Sequence, residues 1–115
     1  MKRGTLLIAM LSPYAEPSAI QQYADAGITA LTLEFVPRIT RAQSMDVLSS
    51  QSNLAGYRAV LEAINMYDRA MPMMMTAAGT IAPARVMVLG AGVAGLQAIA
   101  TAKRLGAIVS ATDVR

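Results

Sequence analysis

The six residues Gly90, Ala91, Gly92, Val93, Ala94 and Gly95 constrain this chain more than any other stretch. An apolar run, Val86 to Leu89, leads into them. A stretch of helical character follows, and a second apolar run over residues 107–111 leads to Asp113. Strand, glycine turn, helix, strand and acid is the order a dinucleotide-binding unit requires. Gly90 lets the chain turn sharply off the strand. Gly92 carries no side chain, so a pyrophosphate can approach the backbone, and Gly95 lets the helix pack close to the strand. The helix N-terminus offers unpaired N–H groups and the positive end of its dipole to phosphate. Asp113, at the tip of the second strand, can accept hydrogen bonds from the adenosine ribose hydroxyls. It would also repel a 2′-phosphate, which points to NAD over NADP.

Residues 86–102 are almost uncharged and imitate a membrane span. Arg85 and Lys103 bound them, Gln97 interrupts them and three glycines weaken the helix, so the run is shorter than the ~20 residues a span needs. With 115 residues the chain has material for about one small domain, and an apolar fraction of 55% is ample for a core. The net charge of +3 is spread out and aromatics are few, which argues against nucleic-acid binding. Cysteine and histidine are both absent, so a disulfide framework, a thiol nucleophile, a Cys/His metal site and histidine acid–base chemistry are all excluded.

Residues 1–11 imitate a signal peptide, with Lys2 and Arg3 before an apolar stretch, but that stretch is short and the cleavage site is poor. A buried strand fits better, because a helix over residues 18–26 follows, begun by Pro17 and closed by Gly27. Residues 28–36, ITALTLEFV, are β-branched and aromatic and are expected to form a second strand stopped by Pro37. Residues 4–36 thus form a strand–helix–strand unit with no glycine fingerprint.

Residues 37–46, PRITRAQSMD, are the most polar stretch. Two readings of them stand. Past a strand end they are placed as a ligand-binding loop of an α/β protein. Alternatively they are a charged connector in which Asp46 or Ser44 caps the next helix. In that helix Leu54, Tyr57, Val60, Leu61, Ile64, Tyr67 and Met71 recur at helical spacing, with Arg58, Glu62, Asn65 and Arg69 opposite. It is expected to be a strut with a buried stripe, ended by Pro72. Met73, Met74 and Met75 are expected to fill an irregular core gap, and Gly79 to mark a turn.

PRITRAQSMDVLSSQSNLAGYRAV, MMMTAAGTIAPARVMVLGAGVAGLQAIATAKRLGA and ATDVR together closely resemble the NAD(H)-binding first domain of proton-translocating NAD(P)+ transhydrogenase, alpha subunit. The resemblance covers nearly the whole chain. It implies an α/β fold of Rossmann-like strand–helix–strand units with parallel strands: two partial subdomains, joined by a long helix. Residues 1–42 would end a first subdomain, 43–71 would be the linking helix, and 72–115 would begin the NAD-binding subdomain. The family domain extends beyond both ends of this sequence, so the chain is expected to be an internal piece.

The resemblance also implies roles. Arg38, Gln43 and Asp46 match the loop over the nicotinamide end of the cofactor and are the expected catalytic residues. Ile39, Thr40, Ser44 and Met45 line the same loop, with Ser49 nearby. Thr40 replaces the commoner serine and keeps the hydroxyl. Ala91, Gly92 and Val93, between Gly90 and Gly95, match the pyrophosphate turn, and Asp113, Val114 and Arg115 match the adenosine end. The implied reaction is direct hydride transfer between NADH and NADP+, the NADP(H) being held on a partner domain. A separate membrane-spanning domain or subunit would translocate protons. The complete domain is expected to be a homodimer, cytoplasmic and peripheral to the inner membrane as part of a membrane complex. Two alternatives remain. The first is an alanine dehydrogenase-like NAD-dependent oxidoreductase, from which PRITRAQSMD discriminates. The second is an inactive truncated piece.

Overall fold

Strand β1 (Leu6–Ala9), helix α1 (Pro17–Asp25) and strand β2 (Thr29–Thr32) build the first strand–helix–strand unit. The structure is a computed structural model that describes residues 1–114. The chain divides into two compact units, Met1–Leu48 and Ser49–Arg115. In the first, β1 and β2 pair in parallel, Leu6 opposite Thr29 and Ala9 opposite Thr32. Pro17 opens α1, where its missing N–H is no loss. Gly27 closes it at φ +67, with its N–H on the Ala24 carbonyl and the Ile28 N–H on the Tyr23 carbonyl, both at 2.9 Å. That paired pattern needs a left-handed residue at Gly27.

Two expectations for this unit are corrected. Strand β2 ends at Thr32, and Leu33–Phe35 wind into a 3-10 turn, so the strand stops well before Pro37. The cause is Glu34. Its carboxylate accepts the backbone N–H groups of Leu11 (3.2 Å) and Ser12 (2.7 Å) and the Thr32 hydroxyl, which pulls the chain out of extended geometry. Ser12 itself holds φ +47, and Tyr14 packs edge-on against Phe35 with ring centroids 5.6 Å apart. Strand β1, for its part, is half-buried on the face of Leu7 and Ala9 while Leu6 and Ile8 are exposed. One helix covers only one face of a two-stranded sheet.

The Thr32 hydroxyl, chiefly, with the Ser12 and Leu11 N–H groups, holds the Glu34 carboxyl down to about 2 from an ordinary 4.5. A carboxyl more acidic in the folded state adds stability above 4.5 that is lost as pH falls toward about 2. Thermal melts of wild type and Glu34→Gln across that range should converge at the acid end and separate above pH 4.5. Curves that stay parallel would remove this role.

Helix α2 (Val47–Met66) follows, then a hairpin of β3 (Met74–Thr76) and β4 (Gly79–Ile81), then β5 (Arg85–Leu89), α3 (Val93–Arg104) and β6 (Ile108–Thr112). β5 and β6 pair in parallel, Arg85 opposite Ile108 and Leu89 opposite Thr112. The apolar stretch over residues 86–102 is therefore a strand, a turn and a helix. Among the described residues no helix is long and apolar enough to cross a membrane.

Helix α2 stops at Met66, six residues before Pro72. A Tyr67 N–H to Ile64 carbonyl bond tightens its end, and Asp68 turns left-handed at φ +50. Pro72 instead packs on the α3–β6 turn, where a Cβ at Gly106 (φ +85) would lie 2.6 Å from the proline Cβ. The core of the second unit is small: Val60, Met71, Ala84, Thr101 and Ala102 are buried. Backbone bonds from the Ala84 N–H to the Met71 carbonyl (2.9 Å) and from the Ile108 N–H to the Ala84 carbonyl (2.8 Å) tie it together. The expected α2 stripe is buried only in part, since Leu54, Tyr57 and Tyr67 are exposed while Gly56 and Val60 carry the contact. On the opposite face Arg58 and Glu62 form an exposed i, i+4 ion pair, which contributes little to stability.

The methionines also depart from expectation. Met73, Met74 and Met75 are exposed, Met75 to 72%. Met74 and Met75 form the first strand of the antiparallel hairpin, with Met74 opposite Ile81 and Thr76 opposite Gly79. They fill no core gap. Ample apolar material thus buries few large side chains, because each pair of parallel strands meets a helix on one side and leaves its other face and outer edges open.

Candidate functional site

Unit by unit, the structure gathers the residues singled out above into two places. In the second unit β5 runs into Gly90, whose N–H continues the ladder to the Thr112 carbonyl at 2.7 Å. Gly90 then takes φ +102, a conformation that a Cβ opposes, and the chain turns off the strand. Gly92 occupies the N-cap of α3 in extended geometry, and its carbonyl accepts the Leu96 N–H at 2.8 Å. The first turn of α3 carries no acidic residue, while Lys103 and Arg104 occupy the last, so the dipole is complemented at its C-terminal end. A Cβ at Gly95 would fall on the carbonyl oxygen of Gly90. The close packing expected of the third glycine is thus a backbone-on-backbone contact.

Asp113 follows β6, half-buried, and its Oδ2 accepts the Ala91 N–H at 2.6 Å. That charge-assisted bond ties the glycine turn to the tip of the second strand. A shallow cavity of about 400 Å³ lies beside it, lined by Leu89, Gly90, Thr112, Asp113 and Val114. Val114 is exposed. Arg115, assigned to the same adenosine end, lies outside the described residues.

In the first unit the polar loop is compact. Thr40–Met45 form a 3-10 helix anchored by Ala42, which is 3% exposed. The Ala42 N–H bonds to the Ile39 carbonyl at 2.9 Å and the Asp46 N–H to the Gln43 carbonyl at 3.2 Å. With Ala42 turned inward, the side chains of Arg38, Ile39, Thr40, Gln43, Ser44 and Met45 are exposed. Asp46 is half-buried and immediately precedes α2, so it also holds the position of a helix cap. Ser49 lies in the first turn of α2.

Sequence reasoning missed Glu34 and Gly56. Glu34 is the one charge in ITALTLEFV, and an acid inside an apolar run is a signal that something must solvate it. Gly56 stands mid-helix in α2, where glycine disfavours the helix unless a neighbour must come close.

A parallel strand–helix–strand unit with a left-handed glycine leaving the first strand and an acid at the end of the second defines the Rossmann-like nucleotide-binding class. Within it, residues 1–55 match the family Alanine dehydrogenase/PNT, N-terminal domain, and residues 59–115 match Alanine dehydrogenase/PNT, C-terminal domain. The chain belongs to the alanine dehydrogenase/PNT family, on its NAD(P) transhydrogenase alpha-subunit branch. It is 60% identical over 114 residues to the first of the split NAD(P) transhydrogenase alpha subunits of Rickettsia prowazekii, covering 99% of this chain and 30% of that protein. It is 60% identical over 115 residues to the protein of the same name from Rhodospirillum rubrum, covering all of this chain and again 30% of the relative. The crystal structure of transhydrogenase from Sinorhizobium meliloti superimposes with a TM-score of 0.96 at 65% identity, over 99% of this chain and 33% of that one. The chain therefore spans about a third or less of the length of these relatives.

Proposed function

We propose that this chain is the NAD(H)-binding part of a transhydrogenase that exchanges a hydride directly between NADH and NADP+. The observation that carries this reading is the Asp113-tied glycine turn at the head of β5, α3 and β6, in a chain 60% identical to transhydrogenase subunits. The turn fits a dinucleotide pyrophosphate. A Cβ at Gly95 is excluded by the Gly90 carbonyl, and the first turn of α3 carries no acid. When bound, NADH supplies the hydride at its nicotinamide ring.

The rest is the work of this chain's residues. The N–H groups of Ala91, Gly92 and Val93 hold the pyrophosphate. Asp113 accepts from the adenosine ribose, and Val114 and Arg115 flank the adenosine. Arg38, Gln43 and Asp46 orient the nicotinamide carboxamide and its ribose, while Ile39, Thr40, Ser44, Met45 and Ser49 line that end and exclude water. One carbon gives a hydride to another, so no proton donor is needed at the reacting atoms. A chain with no histidine is suited to that chemistry. The contribution of the residues is registry and a dry contact between two nicotinamides. NADP(H) is held on a partner domain, and a membrane-spanning domain or subunit moves the protons. In the complete domain residues 1–42 close a first subdomain, 43–71 link and 72–115 open the NAD-binding subdomain. That domain acts as a homodimer on the cytoplasmic side of the inner membrane.

An NADH fluorescence titration, with NADPH as the control, tests the reading. Saturable enhancement with NADH and none with NADPH is the expected result. Equal binding of both, in this chain and in a transhydrogenase assembled around it, would overturn the assignment.

A further inference from the structure

The dinucleotide turn uses three glycines, and the structure adds a fourth from another helix. Gly56 is one of two buried residues in α2, the other being Val60. A Cβ at Gly56 would fall on the carbonyl oxygen of Ala94, with the carbonyl carbon and Cα of Ala94 at 2.8 and 2.9 Å. These are backbone atoms and cannot rotate aside. Ala94 is the second residue of α3, and its neighbour Gly95 makes the matching contact on the Gly90 carbonyl. The first turn of α3 is therefore held between two backbone surfaces, neither of which admits a methyl group.

We infer that Gly56 is a positioning residue for the dinucleotide turn: by letting α2 touch Ala94, it sets where the N–H groups at the head of α3 point. The inference rests on the NAD(H) reading above and adds to it a residue outside the glycine turn. A methyl group at Gly56 forces α2 or α3 to retreat by something on the order of 1 Å, and a misplacement of that size at a binding turn is enough to impair it. Hydrogen bonds to phosphate weaken steeply as distance and angle depart from their optimum. Alanine is also the better helix former, so α2 taken alone gains from the change.

The test is Gly56→Ala in a transhydrogenase assembled around this sequence. KM for NADH should rise by about tenfold or more, while KM for NADP+ and kcat at saturating NADH stay within about twofold, the signature of lost binding common to ground and transition states. A merely structural role gives the opposite split, with a smaller active fraction and an unchanged KM. Val60→Ala, one turn along the same buried face, should show that structural pattern. A folded Gly56→Ala enzyme with wild-type KM for NADH overturns the inference.

A second readout needs no variant and decides the matter if Gly56→Ala fails to fold. In the wild type, saturating NADH should slow amide exchange over residues 54–58 of α2 together with residues 93–96 of α3. Protection confined to α3 overturns the inference. If the NADH titration of the parent is itself flat, the NAD(H) reading has failed and the inference falls with it, an outcome distinct from tight NADH binding with α2 unaffected.

Discussion

Gly95→Ala should abolish measurable NADH binding and destabilise the second unit by about 1–3 kcal/mol. The added methyl would fall on the Gly90 carbonyl oxygen, with the Val88 side chain 3.7 Å away behind it. No rotamer relieves this, because an alanine Cβ has no torsion to move it and the atom it meets is backbone. Helix α3 must lift off the turn, or Gly90 must give up its geometry. Gly90 has little room to do so, since its N–H is bound to Thr112 at 2.7 Å and its φ of +102 is tied to the exit from β5. Lifting α3 is the easier escape, and it carries the phosphate-binding N–H groups away from the turn. Two measurements check the result: an NADH titration and a thermal melt on the same variant. Lost affinity with a modest drop in Tm is expected. Wild-type affinity would show that the close contact at Gly95 does not shape the binding turn.

What was legible in the sequence was what is local. Gly27 and Gly90 were readable because a left-handed turn is specified by the residue that adopts it, and both take positive φ. The parallel pairing of β5 with β6 followed from two apolar runs separated by one helix. The same logic misplaced the end of β2. ITALTLEFV has strand composition throughout, but Glu34 bonds the N–H of Leu11, 23 residues away, and no local pattern announces that partner. Gly56 was silent for a related reason: its partner, the Ala94 carbonyl, is a backbone atom and leaves no trace in the composition of α2. The methionines failed in another way. Hydrophobicity says that a side chain profits from burial, not that a neighbouring surface exists to bury it, and in this chain residues 73–75 meet none. In the site itself the glycine turn and Asp113 were readable from spacing, whereas the role of residues 38–46 rests on resemblance. Their 3-10 geometry serves a ligand loop and a helix-capping connector equally well.

Asp113→Ala should weaken NADH binding by roughly 10- to 100-fold, the equivalent of losing about 1.5–3 kcal/mol of charge-assisted hydrogen bonding. The side chain is placed to act twice. Its Oδ2 already accepts the Ala91 N–H at 2.6 Å, which holds the glycine turn against β6, and the carboxylate faces the cavity proposed for the adenosine end. Truncation removes the ribose acceptor and releases the turn together. Asp113→Asn separates the two. An amide oxygen can still accept from Ala91, so the turn stays tied, but the charge that strengthens the ribose contact and repels a 2′-phosphate is gone. The asparagine variant should therefore keep more NADH affinity than the alanine variant and also gain NADPH binding, which the alanine variant, with its turn untied, gains less. Parallel titrations of both variants with NADH and NADPH read this directly. If Asn and Ala lose NADH equally and neither gains NADPH, the carboxylate serves the turn alone, and discrimination against the 2′-phosphate must be carried by other residues.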